Sequence, residues 1–291
     1  MTDEFSKCHP AVNFLFFAGA IGSSVIIQHP LYLTVGIFTG IIYYLQLNGR
    51  KGLKTILSMA VLLIFLTLIN PIFNTFGETP LCYLLGRPYT FEALRYGLVL
   101  GIEFVTLLLW FGCYNKVLTS DKFTSLFGNL IPAVSLILVM VFRMVPNLMR
   151  KAAQIIGARK SIGKGVQDNN TFKEKIIDGA KVLGTLTSWA LEGSIVTSDS
   201  MKSRGYGSAV RSRFMIYRMA FKDWVLLILI SALLILVIVS ACFNHMKATY
   251  MPEFYVAPIS WGIIPYTIYL LIPIVLHIKE AIQWRISRLK I

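Results

Sequence analysis

The sequence predicts an all-α integral membrane protein of about six transmembrane helices, with a long basic domain of amphipathic helices inserted before the last two. Three observations carry that prediction. Of the 291 residues, 56% are hydrophobic and only 14% charged, where a soluble domain averages about 45–50% apolar and about 25% charged. Mean hydropathy is +0.67. The 28 Lys and Arg against 14 Asp and Glu leave a net charge of +14, and that surplus gathers in one stretch of the chain. An ordinary soluble enzyme and a disordered chain are excluded by the first two observations. The third asks whether the basicity serves nucleic acid or membrane topology.

A crossing needs about 17–25 mainly apolar residues. Ala11–Ile27, Leu31–Leu47, Thr55–Phe73 and Leu94–Leu118 meet that length within an N-terminal membrane region, residues 1–118. Trp224–Phe243 and Ile259–Ile278 meet it within a C-terminal region, residues 224–291. Asp3 and Glu4 beside a lone Lys7 do not make the positive n-region of a cleavable signal peptide. Asn48–Lys54 carries Arg50, Lys51 and Lys54 without an acid, whereas Asn74–Ala93 and Asn244–Pro258 balance their charges. Lys and Arg favour cytoplasmic loops, so both termini are expected in the cytoplasm. The basic end with Lys279, Arg285, Arg288 and Lys290 agrees.

Residues 119–223 form the insert. Arg143 to Asp223 holds 15 Lys or Arg and 6 Asp or Glu, which is +9 of the total +14. Ile131, Val134, Leu138, Val141, Val145, Leu148 and Ile155 recur at helical spacing, with Pro146 expected to kink the helix. A polar hinge, Gly163–Thr171, precedes a second pattern through Ile176, Ala180, Leu183, Leu186 and Ala190 to about Ser203. An eight-span alternative, with crossings around Ile131–Phe142 and Val182–Ser198, would leave eight basic residues against three acids outside the cell. That runs against the positive-inside rule and brings Arg143 next to the membrane core.

The chemistry of common active sites is missing from the sequence pattern. Gly157 to Gly165 has five residues between its first glycines and Gly after Lys164, unlike a phosphate-binding loop. Cys8, Cys82, Cys113 and Cys242 are scattered, with no metal-ligand spacing and no implied disulfide framework. His9, His29, His245 and His277 read as interfacial or packing residues, and no metal or catalytic residue is expected. Glu103, midway along the fourth span, is the exception: an ionisable group at that depth marks function or a pair with a neighbouring helix. Gly36-x-x-x-Gly40 and Gly97-x-x-x-Gly101 suit helix packing or docking of a separate subunit.

Ala158-Arg159-Lys160 and Ser203-Arg204-Gly205 close the two amphipathic helices, each setting an Arg beside small residues. An Arg projecting beyond a helix end is a rigid five-donor fork suited to a protein interface. It also serves as a basic cap for the helix dipole.

With these motifs the chain resembles the transmembrane T component of energy-coupling factor (ECF) transporters, which are ABC-type importers of vitamins and trace metals. The resemblance is sharpest at Thr185–Glu192 and at Ser198–Gly207, and Phe142-Arg143-Met144-Val145-Pro146 with Ala158-Arg159 resembles the first signature. Three departures stand out: Lys160 in place of Gly or Ser, Ala153-Gln154 two residues early, and Lys202 in place of Glu. The resemblance implies that 119–223 is a cytoplasmic coupling domain. Ala158, Arg159, Lys160, Ser203, Arg204 and Gly205 would then bind two ABC-type ATPase subunits. A substrate-binding membrane subunit (S component) would complete the assembly in a prokaryotic cell (inner) membrane. The chain would be a non-catalytic subunit with no cofactor of its own, ATP being bound by the partner ATPases. The transported substrate would be chosen by the S component. The alternative from another class is a self-contained membrane enzyme or channel that uses the basic insert on an anionic lipid or other anionic substrate. Nucleic acid is not expected as a partner, because topology accounts for the basic insert and no stacking platform accompanies it.

Overall fold

The computed structural model describes residues 4–74, 77, 79–84, 87–127, 132–163, 171–208, 217–243, 248–250, 255–258 and 260–289. Ile131, His245, Ile259, Lys164, Gly165, most of the expected hinge and the end of the basic tail lie outside the described residues. The chain divides into two units: unit 1 is Met1–Phe123 with Tyr217–Ile291, and unit 2 is Thr124–Ile216. The expected insert, 119–223, is longer at both ends, because Lys122 and Asp223 pack into unit 1.

Unit 1 is built from α1 (Glu4–Lys7), α2 (Pro10–Ile26), α3 (Pro30–Asn48), α4 (Arg50–Phe73), α5 (Phe91–Val117), the start of α6 (Ser120–Phe127), α9 (Phe221–Cys242) and α10 (Ile263–Leu289). Five of these, α3, α4, α5, α9 and α10, are long and apolar enough to cross a membrane. At 17 residues α2 is a shorter apolar helix, rising about 25 Å at 1.5 Å per residue. Leu57, Val61, Phe65 and Leu68 on α4 and Ile228, Ile235 and Ile238 on α9 are exposed. Such faces belong in a bilayer rather than in water.

Residue pairs between helices fix their directions. Lys7 meets Glu280 and Tyr269 meets Phe16, so α10 runs antiparallel to α2. His9 meets Asp223 while a methyl on Gly19 would touch Leu234, so α9 runs parallel to α2. Phe17 packs on Tyr114 while Ser6 meets Lys122, which makes α5 antiparallel to α2. Gly97 faces Asn70 and Gly101 faces Leu63, so α4 opposes α5. The six helices therefore alternate in direction in chain order. Lys7, Arg50, Lys51, Lys54, Lys116, Lys122, Lys222 and Lys279 all fall at one face of unit 1. The opposite face carries two short hairpins, β1 (Pro80–Leu84) with β2 (Arg87–Thr90) and β3 (Ala248–Thr249) with β4 (Tyr255–Val256).

Several boundaries differ from the sequence expectation. Asn48–Lys54 reads as a loop because of its charges, yet α4 begins at Arg50, and Gly49 alone turns the chain with φ of 58°. Only glycine occupies that region without a steric penalty. The two hairpins, α1 and α6 were not anticipated, so an all-α description holds for the apolar helices and not for the caps on the hairpin face. The basic segment after Ile278 continues α10 rather than forming a tail.

The core of unit 1 is aromatic. Phe16 sits 5.1 Å from the Tyr269 ring, 5.2 Å from Phe5 and 5.8 Å from Trp110. Tyr43 stacks on Trp110 at 6.2 Å. The polar ends of these rings are satisfied inside: the Trp110 indole N–H donates to Gly36 O at 3.3 Å, and the Tyr269 hydroxyl donates to Phe16 O at 2.7 Å. Large rings with satisfied handles are dense sources of packing energy.

All four glycines of the two G-x-x-x-G pairs face helices within this chain. A Cβ on Gly36 would lie 3.1 Å from Thr106, and one on Gly40 would lie 3.4 Å from the Trp110 indole nitrogen. At Gly97 it would lie 2.8 Å from the Thr67 carbonyl oxygen and 2.8 Å from Asn70 Cβ. Backbone cannot retreat as a flexible side chain can, so Gly97→Val is expected to destabilise unit 1 by about 1–3 kcal/mol. Thermal unfolding of the detergent-solubilised protein should show a lowered midpoint, larger than that of Gly22→Val, where nothing lies within 4 Å.

Candidate functional site

Unit 2 is a helical hairpin of α7 (Pro132–Ser161) and α8 (Phe172–Ser203). Pro146 lies inside α7 and the helix continues through it. At the start of α8 the Glu174 carboxylate accepts from the Thr171 N–H at 3.0 Å, and the Glu174 N–H donates to Thr171 O at 2.9 Å. The helices are antiparallel: Arg159 pairs with Asp178, and eight residues earlier Lys151 lies 5.4 Å from the Trp189 ring centroid. Met144, Leu148, Lys151, Ala152 and Ile155 on α7 and Val182, Leu186, Trp189 and Ala190 on α8 are partly covered.

The two arginine motifs end up in different positions. At the end of α8, Tyr206 N–H donates to Met201 O at 3.0 Å and Gly205 N–H to Lys202 O at 2.9 Å. That pair of bonds is a Schellman cap, and it needs the left-handed conformation that Gly205 supplies at φ 78°. Arg204 is the C-cap residue, exposed at the tip of α8 with Ser203 and Gly205 exposed beside it. A bulkier neighbour would obstruct approach to this guanidinium.

Arg159 does not repeat this arrangement, contrary to the expectation that it projects beyond a helix end. α7 runs on to Ser161, and the glycine turn that ends it is Gly163, with φ 73° and its N–H donating to Lys160 O at 3.1 Å. The residue in the place equivalent to Arg204 is Ile162, 68% exposed. Arg159 lies in the last turn and turns inward, where a guanidinium N–H donates to Asp178 Oδ1 at 2.7 Å. Its side chain is 21% exposed and that of Asp178 17%. Ala158 and Lys160 remain exposed beside it. The sequence could not show this, because Asp178 stands nineteen residues away across the hinge. A double-mutant cycle with Arg159→Ala and Asp178→Ala is expected to give a coupling of about 1 kcal/mol in unit 2 stability. The pair sits at the turn end of the hairpin and Arg204 at the other. From Asp178 to Arg204 the helix rises about 39 Å.

None of the described residues of α8 is buried. Phe172, Ile176, Leu183 and Leu191 are exposed on α8, as are Phe142, Val145, Met149 and Ile156 on α7. Arg143, Asn147, Arg150 and Gln154 share the remaining face of α7 and are exposed as well.

In unit 1, Glu103 is half-buried on α5, with its carboxylate 3.5 Å from the Gln28 side-chain nitrogen. The Tyr250 hydroxyl donates to Gln28 O at 2.8 Å, and its ring lies 5.7 Å from that of Tyr96. Burial, with the Glu103 carboxylate nearby, pushes the Tyr250 hydroxyl up to about 12, so it stays a neutral donor. Glu103 thus belongs to a polar contact that holds the segment after β3 onto the helices. Among the described residues, no group of three His, Cys, Asp or Glu is placed to hold a metal ion.

His9 and His29 have a role that a packing assignment missed. Each precedes a proline at the first helical position, and each accepts through Nδ1 from the N–H of the second: Ala11 at 3.2 Å and Leu31 at 3.3 Å. Proline lacks an N–H to satisfy, so the imidazole serves the next one. The repeated His-Pro pair was the available signal.

Neither a protein-family model nor a curated protein sequence matches the chain.

Proposed function

We propose that the chain is the transmembrane coupling subunit of an ECF-type ABC importer, set with its basic face and unit 2 in the cytoplasm of a prokaryotic cell and crossing the membrane six times. The observation that carries the reading is Arg204: an exposed guanidinium fixed at the tip of a 32-residue helix by a Schellman glycine, inside the Ser198–Gly207 stretch that resembles the second family signature. A long helix is stiff enough to carry a push along its axis. Nucleotide binding would draw two ATPase subunits together, and the displacement would enter through Arg204 at one end of the hairpin and the Ala158-Arg159-Lys160 turn at the other. Arg159 contributes there after exchanging Asp178 for an ATPase group, or through the geometry its ion pair imposes. The exposed apolar stripes of α7 and α8 offer a surface on which a substrate-binding membrane subunit can rest. The chain itself would neither hydrolyse ATP nor select the vitamin or metal.

Affinity purification of the tagged chain in mild detergent, with partners identified by mass spectrometry, tests this. Two ABC-type ATPase chains and one small membrane protein are expected. A chain that purifies alone and is active on an anionic lipid would establish the self-contained enzyme or channel instead.

The cap predicts a separable effect. Gly205→Ala places a side chain in a left-handed conformation at about 1–2 kcal/mol, which frays the tip and misplaces Arg204. ATPase co-purification should fall while the thermal midpoint of the protein stays near that of the wild type, since the hydrogen bonds of this turn join only residues 200–208.

A further inference from the structure

α1 is four residues long, and isolated helices shorter than about 12–15 residues are marginal in water. Its order comes from what it touches. Phe5 is fully buried, with its ring 5.2 Å from Phe16 and 6.1 Å from Phe17. Lys7 pairs with Glu280 of α10 at 2.6 Å. His9 N–H, in the turn that follows, donates to Asp223 Oδ1 at 3.2 Å. The fourth tie is Lys122, only 7% exposed. Its ammonium donates to the Ser6 carbonyl, to Val117 O at 3.0 Å and to Ser6 Oγ at 3.3 Å. A buried ammonium is costly unless its donors are satisfied, so this residue holds its surroundings to one geometry.

The places of these ties in the chain give them a meaning beyond stability. Unit 1 is left at Phe123 and re-entered at Tyr217. Lys122 is one residue before the exit, and Asp223 six residues after the return. α1 and His9 hold both roots of the inserted domain and, through Lys7, the C-terminal half of α10. Asp223 also accepts from Ala220 N–H at 3.0 Å, which fixes the start of α9.

We infer that Lys122, acting through α1, is a positioning residue that joins the exit and return points of unit 2 to α10, so that displacement of either root reaches the membrane helices as one movement. The inference rests on the coupling reading. Without the tie, each root would move by stretching its own connection and the bundle would receive less of the displacement.

The test uses the complex of this chain with its ATPase and substrate-binding partners. It compares wild type with Lys122→Met, Lys122→Arg, Lys7→Glu and the swap Lys7→Glu with Glu280→Lys. Three quantities are read: amide hydrogen exchange at Cys8 and His9, whose N–H groups donate to Phe5 O and Asp223 Oδ1, ATP-driven uptake in proteoliposomes, and ATP hydrolysis. Loss of the charged hydrogen bonds in Lys122→Met should raise exchange at these two amides and lower uptake, each about tenfold, while ATP hydrolysis persists. Lys122→Arg should recover most of both. Lys7→Glu should shift both in the same direction by less, and the swap should restore them. Lys7 is 54% exposed, so its variants decide the matter if Lys122→Met fails to fold. Unchanged exchange in Lys122→Met overturns the tie. Raised exchange with normal uptake overturns the positioning role and leaves the coupling reading intact. A wild-type chain that binds no ATPase overturns the coupling reading and this inference with it.

Discussion

Replacing Arg204 by Glu is expected to weaken ATPase binding about thirtyfold or more, corresponding to about 2–4 kcal/mol for a central Arg in a protein interface. The residue is exposed at the C-cap of α8, so membrane insertion should be unchanged, and stability should fall by no more than the about 0.3–1 kcal/mol that an anion costs at a helix C-terminus. Arg159→Ala should behave differently. Its guanidinium is engaged by Asp178, so the first consequence is a loosened hairpin turn, and Asp178→Ala should reproduce much of it. Titration of the ATPase subunits onto each variant in detergent separates the two residues. The double variant Arg159→Ala with Arg204→Ala should abolish uptake while the chain still inserts. Full uptake by that double variant, with normal ATPase co-purification, would contradict the assignment.

Trp110→Ala should be the most damaging single change to unit 1. The side chain is fully buried, touches Phe16, Phe17 and Tyr43, and donates to Gly36 O. Truncation leaves a cavity among helices α2, α3 and α5, and large-to-alanine changes of this type cost about 3–5 kcal/mol. The expected result is a collapse of the thermal midpoint in detergent and a sharp loss of folded protein in the membrane. Phe111→Ala, on the outer surface of the same helix at 47% exposure, should be close to neutral. Equal losses from the two would mean that the aromatic cluster is not the keystone of the bundle.

The apolar helices were legible because a crossing is a property of about twenty consecutive residues, and hydropathy averages over them. Their ends were not. Arg50 and Lys51 read as loop because of their charge, yet one left-handed glycine makes the whole turn and the cations fall in the first turn of α4. The strands of the two hairpins are too short to show a period of two; β2 is held to α4 by the Tyr89 hydroxyl, which donates to Leu68 O at 3.1 Å, and the β3–β4 pair lies beside Tyr250 and His29. His29 caps α3, and its Nε2 lies 3.0 Å from Ala257 O. At the candidate site, Ser203-Arg204-Gly205 could be read locally because a Schellman cap is written in adjacent residues. Arg159 could not, because the direction of a side chain on a helix depends on what stands opposite, and Asp178 comes from another helix. Lys122 is the sharper case: nothing in its local sequence marks it, and only the fold places Ser6 and Val117 around it.

In the function proposed here, this chain couples ATP hydrolysis by other subunits to movement of a solute by yet another. Reconstitution of the purified chain in proteoliposomes, alone and with its co-purified ATPase and small membrane subunits, measures that directly. No transport and no ATP hydrolysis are expected from the chain alone, and ATP-dependent uptake only when all the partners are present. Uptake should be lost when Arg204→Glu replaces the wild type. Transport or enzymatic turnover by the chain alone, unaffected by Arg204→Glu, would contradict it.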